Sequence, residues 1–205
     1  MTVSIDQAAT LLNPSLRALA PRLVSYQCEL RTLIDAIEAD QTCARTLIRY
    51  ADKRQNDPEN ATGTVHQAVV YLGLIEVKQF LFAYLLLSRK HDRSAQVRLL
   101  IRARLTADFF RTTGPLNKDL AFLGALLSGR NQLALEKPDA VFTLFQPKKE
   151  SRDALRTYGY GLREAIRQAI QVEQQGHQRQ PQSEATETLY QDALYWANTL
   201  LRALR

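Results

Sequence analysis

The chain has 205 residues, 45% of them hydrophobic and 23% charged, which supplies one core without disulfide or metal staples and excludes wholesale disorder. Eight glycines and seven prolines are few for a sandwich, a barrel or a glycine-rich phosphate fold, and two isolated cysteines, Cys28 and Cys43, exclude a disulfide framework or a cysteine zinc site and suit a reducing cytoplasm. The net charge of +6 is mildly basic, and the stretch from Arg89 to Arg111, with seven basic residues against two acidic ones, holds most of it.

Met1-Thr2-Val3-Ser4-Ile5-Asp6 lacks a basic start followed by an apolar run, so no signal peptide is expected. Pro14 and Pro21 punctuate a lead-in over residues 1–24, and 25–205 reads as one helical domain with no convincing period-2 strand. Helices are expected at Glu29 to Glu38 and Gln41 to Asp52, the second with an apolar stripe through Cys43, Leu47 and Tyr50. Residues 53–63 form a polar loop rich in turn chemistry. A helix from Val65 to Leu72 is ended by Gly73, because glycine adopts left-handed conformations cheaply. Ile75 to Ser88, apolar on nearly every face, reads as a central buried helix.

Arg89 to Arg93 is then a basic loop, and Ala95 to Thr112 a long helix closed by Gly114-Pro115. Leu120 to Leu127 is apolar again, and Gly124 inside it predicts close approach of another helix. Residues 130–150 read as irregular. A helix over Arg152 to Tyr158 leads through Gly159 and Gly161 to one ending near Gln175, and 176–182 is a polar linker. Ser183 is an N-cap for the last helix, with Glu184 and Glu187 suited to its positive end. The longest strictly apolar run, Phe80 to Leu87, is too short to span a bilayer, so no membrane span is expected.

Few residue patterns point to catalysis. His91-Asp92 is a His-Asp dipeptide, but a metal phosphohydrolase needs further ligands converging on it, and the remaining histidines, His66 and His177, fall at a helix start and in the linker. There is no Gly-x-Ser-x-Gly and no P-loop, and Cys43 lies on an apolar stripe. Tyr158 and Tyr160, around two glycines, read as packing a helix corner, the alternative being stacking on a ligand. Phe109 and Phe110 read as core, which leaves the basic stretch without exposed aromatics for a nucleic acid. No catalytic residue, metal or cofactor is expected.

The order of motifs adds a resemblance. Ile37-Glu38-Ala39-Asp40 followed by Leu47-Ile48-Arg49-Tyr50-Ala51 resembles the "I-x-x-D-P … L-L-R-x-A-N" segment of HDOD (HD-related output) domains. Val65 to Leu74 resembles that family's "I-x-x-A-I-x-x-L-G-L". Arg102-Ala103-Arg104, Ala121-Phe122-Leu123-Gly124-Ala125-Leu126-Leu127-Ser128 and Tyr190 to Asn198 ("Y-x-x-A-x-x-W-A-N") are similar to the HDOD half of bacterial EAL–HDOD proteins. The resemblance covers residues 25 to 203. It departs at Gln41, where the family has Pro, at Asp52, where it has Asn, and by a one-residue shift of the segment before Gly124.

The resemblance implies a compact multi-helix bundle related to HD-domain phosphohydrolases that has lost their metal ligands. It marks Ala68, Leu72, Gly73, Gly124 and Trp196 as structural motif residues. It further implies a non-enzymatic, cytoplasmic bacterial signal-transduction module acting by protein–protein interaction, with a signalling enzyme, a response regulator or a kinase as partner, in a cyclic-di-GMP or two-component context. No EAL carboxylate is carried over. Arg89, Lys90, Arg93 and Arg98 are the candidate partner-binding residues. Arg104, on a largely apolar helix, is expected to be a structural ion-pair partner. The alternative is a nucleic-acid or nucleotide-binding regulator using the basic 89–111 stretch.

Overall fold

The computed structural model describes residues 14–24, 28–55, 61–87, 92–110, 118–129, 159–179 and 183–204. Among them lie eight helices and no strand: α1 Pro14–Leu23, α2 Leu30–Glu38, α3 Gln41–Gln55, α4 Val65–Leu87, α5 Arg93–Phe109, α6 Lys118–Ser128, α7 Gly159–His177 and α8 Glu184–Ala203. The all-α class expected from the sequence is the one observed. The boundaries agree closely for α2, the start of α3, α6 and α8. The helices expected at Arg152 to Tyr158, the irregular 130–150 segment and Gly114-Pro115 lie outside the described residues.

Side-chain caps set where several helices begin. Asp40 accepts from the backbone N–H of Thr42 at 3.0 Å and Cys43 at 2.8 Å and so opens α3. Thr64 and Gln67 form a reciprocal capping box at the head of α4: Gln67 N–H donates to Thr64 Oγ1, and Thr64 N–H to Gln67 Oε1, both at 3.1 Å. Asp92 caps α5 through Ser94 N–H, and Ser183 caps α8 through Thr186 N–H, the latter as expected. Asp52, where the resembled family has Asn, accepts from Thr62 N–H at 2.7 Å and ties the far end of the polar loop back to α3.

The helices share one core. α5 packs against α6, α7 and α8, while α4 packs against α2, α3 and α6. Every residue from Val77 to Leu87 is buried, which matches the expected central helix. α5 is as central, with Leu99, Leu100, Ala103 and Leu105 wholly buried. Phe122 meets Trp196 edge-on at 5.7 Å between α6 and α8, and Tyr50 stacks on Phe80 between α3 and α4. Gly124 lets α6 approach α7: a Cβ there would stand 3.0 Å from Leu162.

Three expectations are corrected in detail. The 1–24 lead-in carries α1, whose Leu16, Leu19 and Leu23 join the common core. Pro14 sits in its first turn, where a missing N–H costs nothing, and Pro21 falls near its end, so two prolines coexist with a helix. α3 continues to Gln55, three residues beyond the expected stop. The linker start, Gly176, is still inside α7, and a Cβ on it would lie 2.5 Å from the Tyr190 ring of α8. Helix packing, not loop chemistry, therefore explains that glycine.

α4 as a whole is long and apolar enough to cross a membrane by length and composition, with about half of its most apolar window buried inside the protein. It is not one straight helix. Gly73 has φ 76° and ψ 160°, a region open essentially to glycine, and breaks it into 65–72 and 74–87.

Candidate functional site at the α4 elbow

Glu76 lies three residues beyond the Gly73 break and gathers donors from three other helices. From α3, the Tyr50 hydroxyl donates to Oε1 and the Arg54 Nε stands 3.9 Å from the same oxygen. From α8, Trp196 Nε1–H donates to Oε1 at 2.6 Å. From α5, Arg104 Nη1 donates to Oε2 at 3.0 Å and to Gln79 Oε1 at 2.5 Å, with its guanidinium 5.3 Å from the Trp196 ring centre. Arg104 also faces Asp108, which in turn faces Lys118. Burial, and then the Glu76 charge and hydrogen bond, push the Tyr50 hydroxyl well above its ordinary pKa, so it stays a proton donor. A carboxylate in an apolar helix needs such partners, because burial alone would make its charge costly.

The elbow also carries exposed apolar side chains. In the 65–72 half, Val65, Ala68 and Val69 turn inward at i, i+3 and i+4. The opposite face should then be polar. Instead Val70 is 65% exposed, Tyr71 47%, Leu74 39% and Ile75 50%. Among the described residues no packing accounts for these four side chains, which lie on both sides of the Gly73 break.

The residues marked from sequence fall as follows. Arg89 and Lys90 lie outside the described residues. Arg93 and Arg98 are both half-buried, and the Arg98 Nε is buried without a hydrogen-bond partner among the described residues. Five positions apart on α5, they point about 140° away from each other and share no face. Arg102, counted in the basic stretch, is buried and paired with Glu173 at 2.9 Å, and Arg104 is the ion-pair partner it was expected to be. The basic stretch is thus partly internal. Ala68 and Trp196 are buried and Leu72 half-buried, while Gly73 and Gly124 serve the break and the close approach described above.

His91 lies outside the described residues, and its neighbour Asp92 is occupied as a helix cap. Among the described residues no three His, Cys, Asp or Glu side chains gather in a group that could hold a metal. Cys43 is wholly buried, and desolvation, with the Asp40 charge second, raises its thiol far above the ordinary range, so it is not a thiolate near neutrality. Burial likewise raises the half-buried Cys28. Tyr160, expected to pack a helix corner, is 78% exposed, and Tyr158 lies outside the described residues.

Sequence reasoning missed the Glu76 cluster. Its signal was a lone acid between Ile75 and Val77 in an apolar run, a charge that must find partners elsewhere in the fold. Comparisons of the chain with protein-family models, curated proteins and solved structures find no match.

Proposed function

We propose that the chain is a non-enzymatic regulatory module that works by binding a protein, a cytoplasmic bacterial signalling domain of the HDOD kind in a cyclic-di-GMP or two-component circuit. The observation that carries this reading is the exposed apolar elbow Val70, Tyr71, Leu74 and Ile75, next to the ion-paired Glu76 cluster. Exposed apolar side chains clustered on a well-packed scaffold are the ordinary makings of a recognition surface. The motif order supports the HDOD kind: its residues are spent on caps, close approaches and ion pairs, as suits a family defined by a shared fold rather than by shared catalysis.

The test is a tagged pull-down from the native host at physiological salt, with and without nuclease. A stoichiometric protein that survives nuclease is the expected outcome. Loss of every partner on nuclease treatment would overturn it in favour of the nucleic-acid regulator, whose binding should also fall steeply with salt. That second reading is weakened by Arg102 and Arg104, which turn inward to Glu173 and Glu76.

A further inference from the structure

The apolar elbow has a cationic neighbour. α3 packs directly on α4, and its sequence holds Arg45, Arg49, Lys53 and Arg54 against the single acid Asp52. Arg45, Arg49 and Lys53 recur at i, i+4 and i+8 and are all exposed, so they form one stripe along α3. Arg54 joins that stripe to the elbow, because it is partly exposed and reaches Glu76, the residue next to Ile75. Glu76 shares its charge between Arg54 and Arg104, so of these cations it is Arg54 that it offsets, and the exposed row Arg45, Arg49 and Lys53 lies beyond that ion pair. A partner seated here meets four apolar side chains, two on each side of the Gly73 break, and a row of positive charge on the adjoining helix.

We propose that the α4 elbow is the docking surface for an amphipathic helix with acidic flanks. Its apolar stripe lies on Val70, Tyr71, Leu74 and Ile75, and its carboxylates face Lys53, Arg54 and Arg49. This rests on the protein-binding reading above. A second copy of the chain is disfavoured, because it would bring two basic stripes together on molecules that each carry +6. An anionic membrane is disfavoured by shape. A helix lying in a bilayer interface presents a long apolar stripe, whereas this one is a turn and a half interrupted by Gly73.

The experiment places p-benzoylphenylalanine at Tyr71 of the full chain in the native host, with the same probe at Tyr160 as a remote exposed control. Crosslinked products are mapped by mass spectrometry. The expected result is a crosslink from position 71, and not from 160, to a single foreign protein also recovered in the pull-down. The attached peptide should be net acidic with apolar residues at helical spacing. Lys53→Glu and Arg54→Glu should each cut that yield about fivefold or more, with the thermal melt of Lys53→Glu unchanged. A crosslink from 71 only to another copy of the chain, or a non-acidic peptide indifferent to both charge reversals, would overturn the proposal. So would crosslinking to lipid alone with flotation on phosphatidylcholine–phosphatidylglycerol vesicles. A pull-down partner that crosslinks through a probe at Arg98 but not at 71 would sink this surface and leave the protein-binding reading standing. No protein partner in either experiment would sink both.

Discussion

Glu76 holds α3, α5 and α8 to one side chain of α4, so its removal should be felt well beyond its own helix. Glu76→Ala leaves the Trp196 N–H and the buried Tyr50 hydroxyl without their acceptor and takes from Arg104 its nearest carboxylate, Gln79 and Asp108 remaining to it. We expect a loss of about 3 kcal/mol in urea unfolding, and roughly half of that for Glu76→Gln, which keeps an acceptor oxygen but not the charge. Equal losses for the two would show that the charge contributes nothing. Gly73 makes a separate prediction. A Cβ there meets nothing within 4 Å, so Gly73→Ala introduces no clash, and its whole cost is backbone conformation, on the order of 1–3 kcal/mol. A melt unchanged by Gly73→Ala would mean that the break relaxes into continuous helix. The break was legible in the sequence, because glycine after an apolar periodic run has one dominant meaning. The Glu76 cluster was not, because its donors come from positions 50, 54, 104 and 196, and no local pattern ties these together.

At the scale of helices, α5 is a packed shaft that turns Arg104 inward, as expected from sequence, and Arg102 with it. The apolar setting of Arg104 is legible locally, whereas Arg102 is not, since its carboxylate, Glu173, stands far along the chain. Arg102 meets Glu173, with both side chains almost fully buried, and Lys78 and Asp119 form a second buried pair at 2.8 Å between α4 and α6. Such pairs contribute little net stability but are costly to break on one side. Arg102→Met alone should destabilise by about 3–5 kcal/mol, whereas Arg102→Met with Glu173→Leu should return to within about 1 kcal/mol of the parent or exceed it. A double variant as unstable as the single one would show that the pair is held for its attraction rather than tolerated as a matched burial. α1 was missed for a related reason: Pro14 and Pro21 read as breaks, but they sit near the two ends of a ten-residue helix whose leucines are claimed by the core.

For the molecule as a whole, the helical class was plain from apolar periodicity, and capping residues and Gly73 marked several helix boundaries. The candidate site was less legible, because exposure is a property of the assembled fold: Val70, Tyr71, Leu74 and Ile75 look like core until Val65, Ala68 and Val69 take the inward face. The same assembly sets the response to alkali. Tyr50, Tyr84 and Tyr190 all hold their protons above the ordinary tyrosine value, burial being the main cause in each. The unfolded chain releases those protons from about pH 10 and the folded chain does not. Stability should therefore be full below that pH and decline above it, by up to about 1.4 kcal/mol per pH unit for each tyrosine, until the folded-state values are passed. Urea midpoints measured from about pH 8 to 11 check this, and Tyr50→Phe should flatten the decline while lowering stability at neutral pH. A midpoint that does not move across that range would contradict the burial of these hydroxyls.

Arg102 and Arg104 are separated by one wholly buried alanine, Ala103, and so project from α5 about 160° apart, one toward α7 and the other toward α4. The helix is thereby keyed against rotation about its own axis. Turning it by one residue would carry both guanidiniums off their carboxylates and set Ala103 or Leu105 against Glu76 or Glu173, stranding two anions in the interior. Apolar helices pack in several near-equivalent orientations, and oppositely directed charges of this sort separate one orientation from the rest in energy. The double neutral variant that keeps stability should therefore give up uniqueness, with broader amide resonances along α5 than in the parent protein.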